Sequence, residues 1–264
     1  MKYLMINGSP RRGNTWKVVK EVEKELKKID LEAEFKEIHL IEREIPFCTG
    51  CSTCFRKGNN YCPHNKYISD IIKDIDKSDA VIISSTAFTS KETSLLRNLF
   101  NHFEYMVHRP HFFLKKALVV TSTSGIGAKP VSKSISKFLN LIGFNKCYRL
   151  PVKTYSWNNF ILNKEVSNKC TKISKKLYLD IYNDKKHSPT MNSLFWYNLF
   201  RGTSTFLGKE SKYPTEDGVF WLEKNRVKYA YDSDIKVSLL KRCFGQIVYG
   251  VGKVVGRFLV VTYK

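Results

Sequence analysis

A short apolar strand that runs straight into a Gly/Ser/Pro turn constrains this chain more than any other feature. Tyr3 to Ile6 reads as a buried parallel strand, and the periodic run from Trp16 onward reads as a helix. Between them lies Gly8-Ser-Pro-Arg-Arg-Gly-Asn-Thr15, with Thr15 at the helix entrance. That order aims free backbone N–H groups and the positive end of the helix dipole into the turn. Such a place binds phosphate. A nucleotide P-loop has Lys where this chain has Asn14, and the Gly-x-Gly-x-x-Gly turn of a dinucleotide fold is absent. The loop therefore suits a single phosphate monoester, held by Ser9, Asn14 and Thr15 around Gly13, with Arg11 or Arg12 supplying charge. The competing reading is an ordinary strand–turn–helix with a capping Thr.

The rest of the first 185 residues repeats the strand–helix alternation. A helix over 16–29 and an edge strand over Leu31–Ile38 complete a βαβ unit, whose crossover implies a parallel sheet. A helix over Tyr67–Lys77 leads to a buried strand at Asp79–Ser85. Ser90 is expected to cap a helix running to Tyr105, and Lys116–Ser122 is a fourth strand. A helix over Lys129–Ile142, a strand over Lys146–Val152 and a basic helix over Asn163–Asn183 follow. Five βα repeats indicate a doubly wound α/β fold with a five-stranded parallel sheet. Ligands of such a sheet sit beyond the carboxyl ends of its strands, here Asn7–Thr15, Thr86–Ser90 and Thr121–Ala128. The last of these is small, polar and Gly-containing, which lets a flat ring approach the backbone.

Four cysteines fall within fifteen residues: Cys48, Cys51, Cys54 and Cys62. Zinc sites usually separate their ligand pairs, whereas two successive gaps of two residues are crowded. Disulfides suit an oxidising compartment. The Cys-x2-Cys-x2-Cys spacing lets one loop wrap three corners of an iron–sulfur cubane, with Cys62 as the fourth ligand. A loop of reduced thiols packed over a cofactor is the alternative.

The first loop resembles that of the flavodoxin-like NAD(P)H-dependent FMN reductases, which commonly reads Gly-Ser-Pro-Arg-x-x-Asn-Thr/Ser. The resemblance covers about residues 1 to 180. It implies a flavodoxin-like fold in which the first loop wraps the FMN phosphate and the loops after the third and fourth strands flank the flavin ring. It thereby places Thr86, Ala87, Phe88 and Thr89 on one side of the ring and Ser122, Ser124, Gly125 and Gly127 on the other. Where the family usually has Pro-x-Tyr after the third strand, this chain has Thr86-Ala87-Phe88. The cysteine run resembles that of the iron–sulfur flavoproteins, which carry Cys-x2-Cys-x2-Cys-x4–7-Cys here and ligate a [4Fe–4S] cluster near the flavin. In them an acidic pair usually follows the last Cys, in place of Pro63-His64-Asn65. Many reductases of the family without a demonstrated cluster show a similar Cys-x-Gly-Cys-x-x-Cys loop. The segment Asn101–Pro110 matches a region that often helps form the family's dimer, so a homo-oligomer is expected.

A formal charge of +21 admits nucleic-acid or membrane binding, but the basic residues are scattered and no recognition-helix signature accompanies them, so no specific nucleic-acid partner is expected. Seven cysteines and no leader-like N-terminus point to the cytoplasm. The six histidines have no metal-ligand spacing; His102 and His108 read as structural, and Cys147, Cys170 and Cys243 as buried small residues. Residues 186–264 form a C-terminal extension. It has an aromatic stretch over Ser188–Phe206, a turn-rich break over Tyr213–Gly218 and a long amphipathic helix over Asp234–Thr262. In that helix Leu240, Phe244, Ile247, Val251, Val255, Phe258 and Leu259 share a face opposite Arg242, Gln246, Lys253 and Arg257, and Gly245, Gly250, Gly252 and Gly256 permit close packing. The apolar stripe is expected to cover the domain or build a dimer, with membrane contact as the minority alternative.

These readings combine into an enzyme that binds FMN and passes electrons from NAD(P)H, or from a small-molecule or protein redox partner, to an acceptor, with Cys48, Cys51, Cys54 and Cys62 ligating a [4Fe–4S] cluster. The flavin does the hydride chemistry, so no catalytic side chain is required. Two rivals stand beside it. One is a cluster-free NAD(P)H-dependent FMN or quinone reductase, and the other is a non-enzymatic module docking on a membrane or protein through its basic tail.

Overall fold

Five runs of buried sequence form one parallel sheet in the computed structural model, which describes residues 1–222 and 226–258. The elements of the sheet domain, in chain order, are β1 (Lys2–Asn7), α1 (Asn14–Ile29), β2 (Glu34–His39), α2 (Thr53–Arg56), α3 (Asn65–Lys77), β3 (Ala80–Thr86), α4 (Ser94–Phe103), α5 (Tyr105–His108), β4 (Lys116–Thr123), α6 (Ala128–Leu141), β5 (Lys146–Lys153) and α7 (Lys164–Tyr182). Strand order is β2-β1-β3-β4-β5, the flavodoxin-like order, with the switch point between β1 and β3. The register pairs Asn7 with Ser84, Thr86 with Ser122 and Thr123 with Lys153, so the strand ends reach one edge together.

Alternation along the strands makes two cores. Leu4, Ile6, Val81 and Ile83 point to the layer of α3, α4 and α6; Tyr3, Met5, Ile82 and Leu118 point to that of α1 and α7. Both faces are covered, which is why these strands are apolar throughout rather than alternating.

Several expected boundaries move for local reasons. The second strand begins at Glu34, not Leu31, because a turn closed by the Ala33 N–H on the Asp30 carbonyl (3.1 Å) leaves Leu31 outside. Ser90 does not cap α4. Thr89 and Ser90 both have positive φ (48° and 58°), and Phe88 and Lys91 exchange two backbone hydrogen bonds of 2.9 Å around them. This is the two-residue reversal of a hairpin turn. Thr93 is the cap instead, its hydroxyl accepting from the Leu96 N–H and donating to the Gly8 carbonyl. The helix it caps stops at Phe103, and α5 follows.

Three helices follow in the extension, α8 (Met191–Thr203), α9 (Glu216–Leu222) and α10 (Leu239–Phe258). The expected break at Tyr213–Gly218 therefore ends before Glu216, and the final helix is shorter than 234–262 at its start. Leu259 to Thr262 lie outside the described residues. A third core of Leu194, Tyr197, Trp221, Tyr231, Ile235 and Val237 closes on Phe113.

The packing face of α10 differs from the expected one. Gly245, Val248 and Gly252 are buried. A Cβ on Gly252 would stand 2.6 Å from the Leu199 carbonyl oxygen, and one on Gly202 2.5 Å from that of Tyr249. The small-residue side therefore meets α8, and Leu240, Ile247, Val251 and Phe258 face away from the protein. Gly250 takes no part in this packing. Cys243, expected to be buried, is exposed, as are Cys48 and Cys51; only Cys170 is fully buried.

Candidate functional site

The strand ends border a cavity of about 290 Å³. Ser9, Arg11, Gly13, Asn14 and Thr15 line it from the first loop, Thr86, Ala87, Phe88 and Thr89 from the loop after β3, and Ser122 and Ser124 from the end of β4. Gly125 and Gly127 do not line it. Gly127, at φ 108°, packs instead on Ser90, where a Cβ would stand 3.0 Å from Oγ. It thereby brings the β3 and β4 loops into contact.

Hydrogen bonds fix the wall. The Asn7 side-chain oxygen accepts from the Ser9 N–H (3.1 Å), and Ser9 Oγ accepts from the Thr86 N–H (3.0 Å). Thr15 and Ser122 hydroxyls lie 2.6 Å apart. The Asn14 amide donates to the Ser156 and Trp157 carbonyls at 2.9 and 3.3 Å, tying the first loop to the loop after β5. Asn14 and Thr15 thus brace the site with their side chains. The helix start itself stays open: Gly13 makes no side-chain cap to α1, and the first turn has no acidic residue. Orphan N–H groups there suit an anion. Arg11 faces the cavity, whereas Arg12 pairs with Glu42 (3.0 Å).

Thr154, Ser156 and Trp157 also line the cavity, and sequence reading missed them. The signal was available, because Lys153 ends a strand of the same sheet and its carboxyl end obeys the same rule as the other three.

All four cysteines of the run border a second cavity of about 380 Å³, with Arg97, Asn101 and His102 of α4 opposite. Among the described residues no three His, Cys, Asp or Glu are arranged to hold one metal ion. A single zinc needs its thiolates about 2.3 Å from one point; a cluster spreads four thiolates around several irons. Burial and the neighbouring Cys62 push the Cys54 thiol up to about 11, with Arg109 opposing. Hydrogen bonding to Thr53 lowers exposed Cys51.

The loop is held from behind. Arg109 donates to the Cys54 carbonyl (2.7 Å) and to Asp217 of α9 (2.6 Å), whose other oxygen meets His108 Nδ1 at 2.8 Å. His108 stacks on Phe200 of α8 (centroids 3.8 Å), and the His102 Nε2 lies 2.9 Å from the Pro46 carbonyl, so both histidines have structural partners. The segment after α4 is thus covered by the extension of the same chain.

Known proteins share parts of this sequence and its fold. Over 143 residues the chain is 29% identical to an iron-sulfur flavoprotein of Archaeoglobus fulgidus, covering 54% of this chain and 62% of that one. A second iron-sulfur flavoprotein of that organism is 35% identical over 99 residues, 38% of this chain and 47% of the other. The chain therefore matches about half to three-fifths of the length of these curated relatives. Among solved structures, an FMN-dependent NADH-azoreductase from Bacillus anthracis str. Ames Ancestor in complex with FMN superposes with a TM-score of 0.50. It is 13% identical and covers 67% of this chain and 99% of its own, a likeness of fold alone. Residues 1–157, more than half of the chain and every strand of the sheet, match the family model for NADPH-dependent FMN reductase, and the chain belongs to that family.

Proposed function

We propose that this chain is an FMN-dependent oxidoreductase that moves electrons between NAD(P)H or a redox partner and a small-molecule or protein acceptor, with a [4Fe–4S] cluster at the cysteine loop. One observation carries the reading: eleven of the thirteen flavin-site residues expected from sequence line one cavity at the strand ends. We divide the chain into a flavin domain, residues 1–185, and an extension, and place it in the cytoplasm, in keeping with its seven free cysteines.

The residues fit an FMN phosphate. The N–H groups opening α1 and the Ser9 hydroxyl, whose oxygen already accepts from Thr86, would donate to it, and Arg11 would balance its charge. Gly8 sits where a Cβ would stand 2.9 Å from Leu96 Cβ and from the Ser84 carbonyl oxygen, so the loop lies hard against α4 and β3. The ring would lie between the Thr86–Thr89 turn and the Ser122–Ser124 backbone, with Phe88 and Trp157 at the rim to exclude water. When bound, FMN supplies hydride acceptance and stepwise electron release.

The cysteine cavity fits a cluster in donor chemistry: four thiols on one loop, with Cys54 and Cys62 half-buried. The segment leaving β3 borders both cavities, its turn the first and α4 the second. A cluster-free reductase, with the run as a loop of reduced thiols, is the second reading, in keeping with the exposure of Cys48 and Cys51. Absorption of anaerobically purified protein, with iron and acid-labile sulfide assayed on the same sample, tests both. Flavin with iron–sulfur absorbance that bleaches on reduction supports the proposal. Flavin alone selects the second reading, and a colourless protein that FMN cannot reconstitute overturns both.

A further inference from the structure

Helix α10 turns its small-residue side to the protein and its apolar ridge to solvent. Leu240, Ile247, Val254 and Phe258 are 84, 67, 56 and 82% exposed. Steps of seven, seven and four residues set them along one line of the helix. At such exposure they protrude as a ridge; they do not line a groove. Arg242, Lys253 and Arg257 are exposed along one flank, and α10 contains no Asp or Glu. Lys241 is occupied elsewhere, donating to Ser188 and the Pro189 carbonyl.

This pattern selects among occupants. Two copies docked ridge to ridge would bring like charges together with no acidic residue on either helix to neutralise them. A protein partner would need an apolar groove shaped to a convex ridge and an acidic border beside it. A lipid surface supplies both without a fitted shape, since apolar side chains enter the headgroup–acyl boundary while basic ones meet phosphates. Among the described residues no helix is long and apolar enough to cross a membrane. We propose that α10 docks the protein flat on an anionic lipid surface, with Leu240, Ile247, Val254 and Phe258 inserted and Arg242, Lys253 and Arg257 on the headgroups. The formal charge of +21 adds long-range attraction. The flavin and cluster readings play no part in this argument.

The test is co-flotation of the full chain with phosphatidylcholine vesicles, with and without phosphatidylglycerol. Binding is expected to the anionic vesicles and to fall at high salt. Each basic residue near such a surface contributes about fivefold, so Arg242→Gln with Lys253→Gln should weaken binding about 25-fold. Leu240→Ser, Ile247→Ser and Val254→Ser together should abolish it at an unchanged melting temperature, because these side chains are exposed. Absence of binding to anionic vesicles overturns the proposal, as does binding that ignores lipid charge or survives both sets of substitutions. Self-association lost in the serine variant, without vesicle binding, overturns it in favour of a second copy.

Discussion

Asp217 joins two regions that lie far apart in the chain, and its removal should loosen the cysteine loop. Its carboxylate is 2% exposed, and the Arg109 guanidinium beside it 6%. Arg109 in turn holds the Cys54 carbonyl at 2.7 Å. Asp217→Asn keeps the shape but leaves a guanidinium buried among neutral acceptors. Breaking a buried pair from one side costs about 3–5 kcal/mol. At about 2–4 °C per kcal/mol for a chain of this size, the melting temperature should fall by roughly 6–20 °C. Part of that loss should appear locally, as faster alkylation of Cys54 in iron-free protein relative to exposed Cys48. Arg109→Met combined with Asp217→Leu removes both charges and should recover most of the stability, since a buried pair and its apolar replacement are close in energy. Thermal denaturation, urea unfolding and peptide-resolved thiol labelling read these outcomes. An Asp217→Asn variant within about 0.5 kcal/mol of the parent, or a double variant no better than the single, would refute the electrostatic clamp.

Other outcomes follow from the same distances. Gly8→Ala should destabilise by about 1–3 kcal/mol, because its Cβ meets the Ser84 carbonyl and Leu96; thermal denaturation checks this, and FMN titration should show weaker binding in parallel. Ser9→Ala removes the hydroxyl proposed to donate to the FMN phosphate and should weaken FMN at least tenfold by fluorescence titration, since such bonds are worth about 1.5–3 kcal/mol. Along α10, Gly252→Ala should be destabilising by chemical denaturation, its Cβ lying 2.6 Å from the Leu199 carbonyl oxygen. Gly250→Ala, with nothing within 4 Å, should stabilise by up to about 1 kcal/mol. Cys62→Ser should lower the iron and sulfide content of anaerobically purified protein while leaving flavin in place.

What was legible in the sequence was what short-range chemistry decides. Strand and helix periodicity set the sheet, and the Gly8–Thr15 turn marked the edge where the cavity opens. The misreadings have two causes, a local backbone pairing that periodicity does not register and a packing contact with a distant element. Ser90 looks like a helix cap until the Phe88–Lys91 pairing makes it half of a reversal, because nothing local distinguishes a capping Ser from a turn Ser. The Asn14 amide and Thr15 hydroxyl line the cavity as expected, and their bonds to Ser156 and Ser122, more than a hundred residues away, add a bracing role that no local pattern announces. The sharpest case is α10. An apolar stripe normally marks the buried side of a helix, and here the glycines decide instead. Backbone contact at Gly202 and Gly252 is closer than any side chain allows, so α8 meets the glycine side, and Leu240, Ile247, Val251 and Phe258 are left outside while Val248 and Phe244 pack inward. Hydrophobic periodicity registers which side is apolar but not which side is thin, and close helix contact depends on thinness. The stripe of small residues and the stripe of large ones on α10 therefore mark two different surfaces, the first facing the chain's own fold and the second exposed.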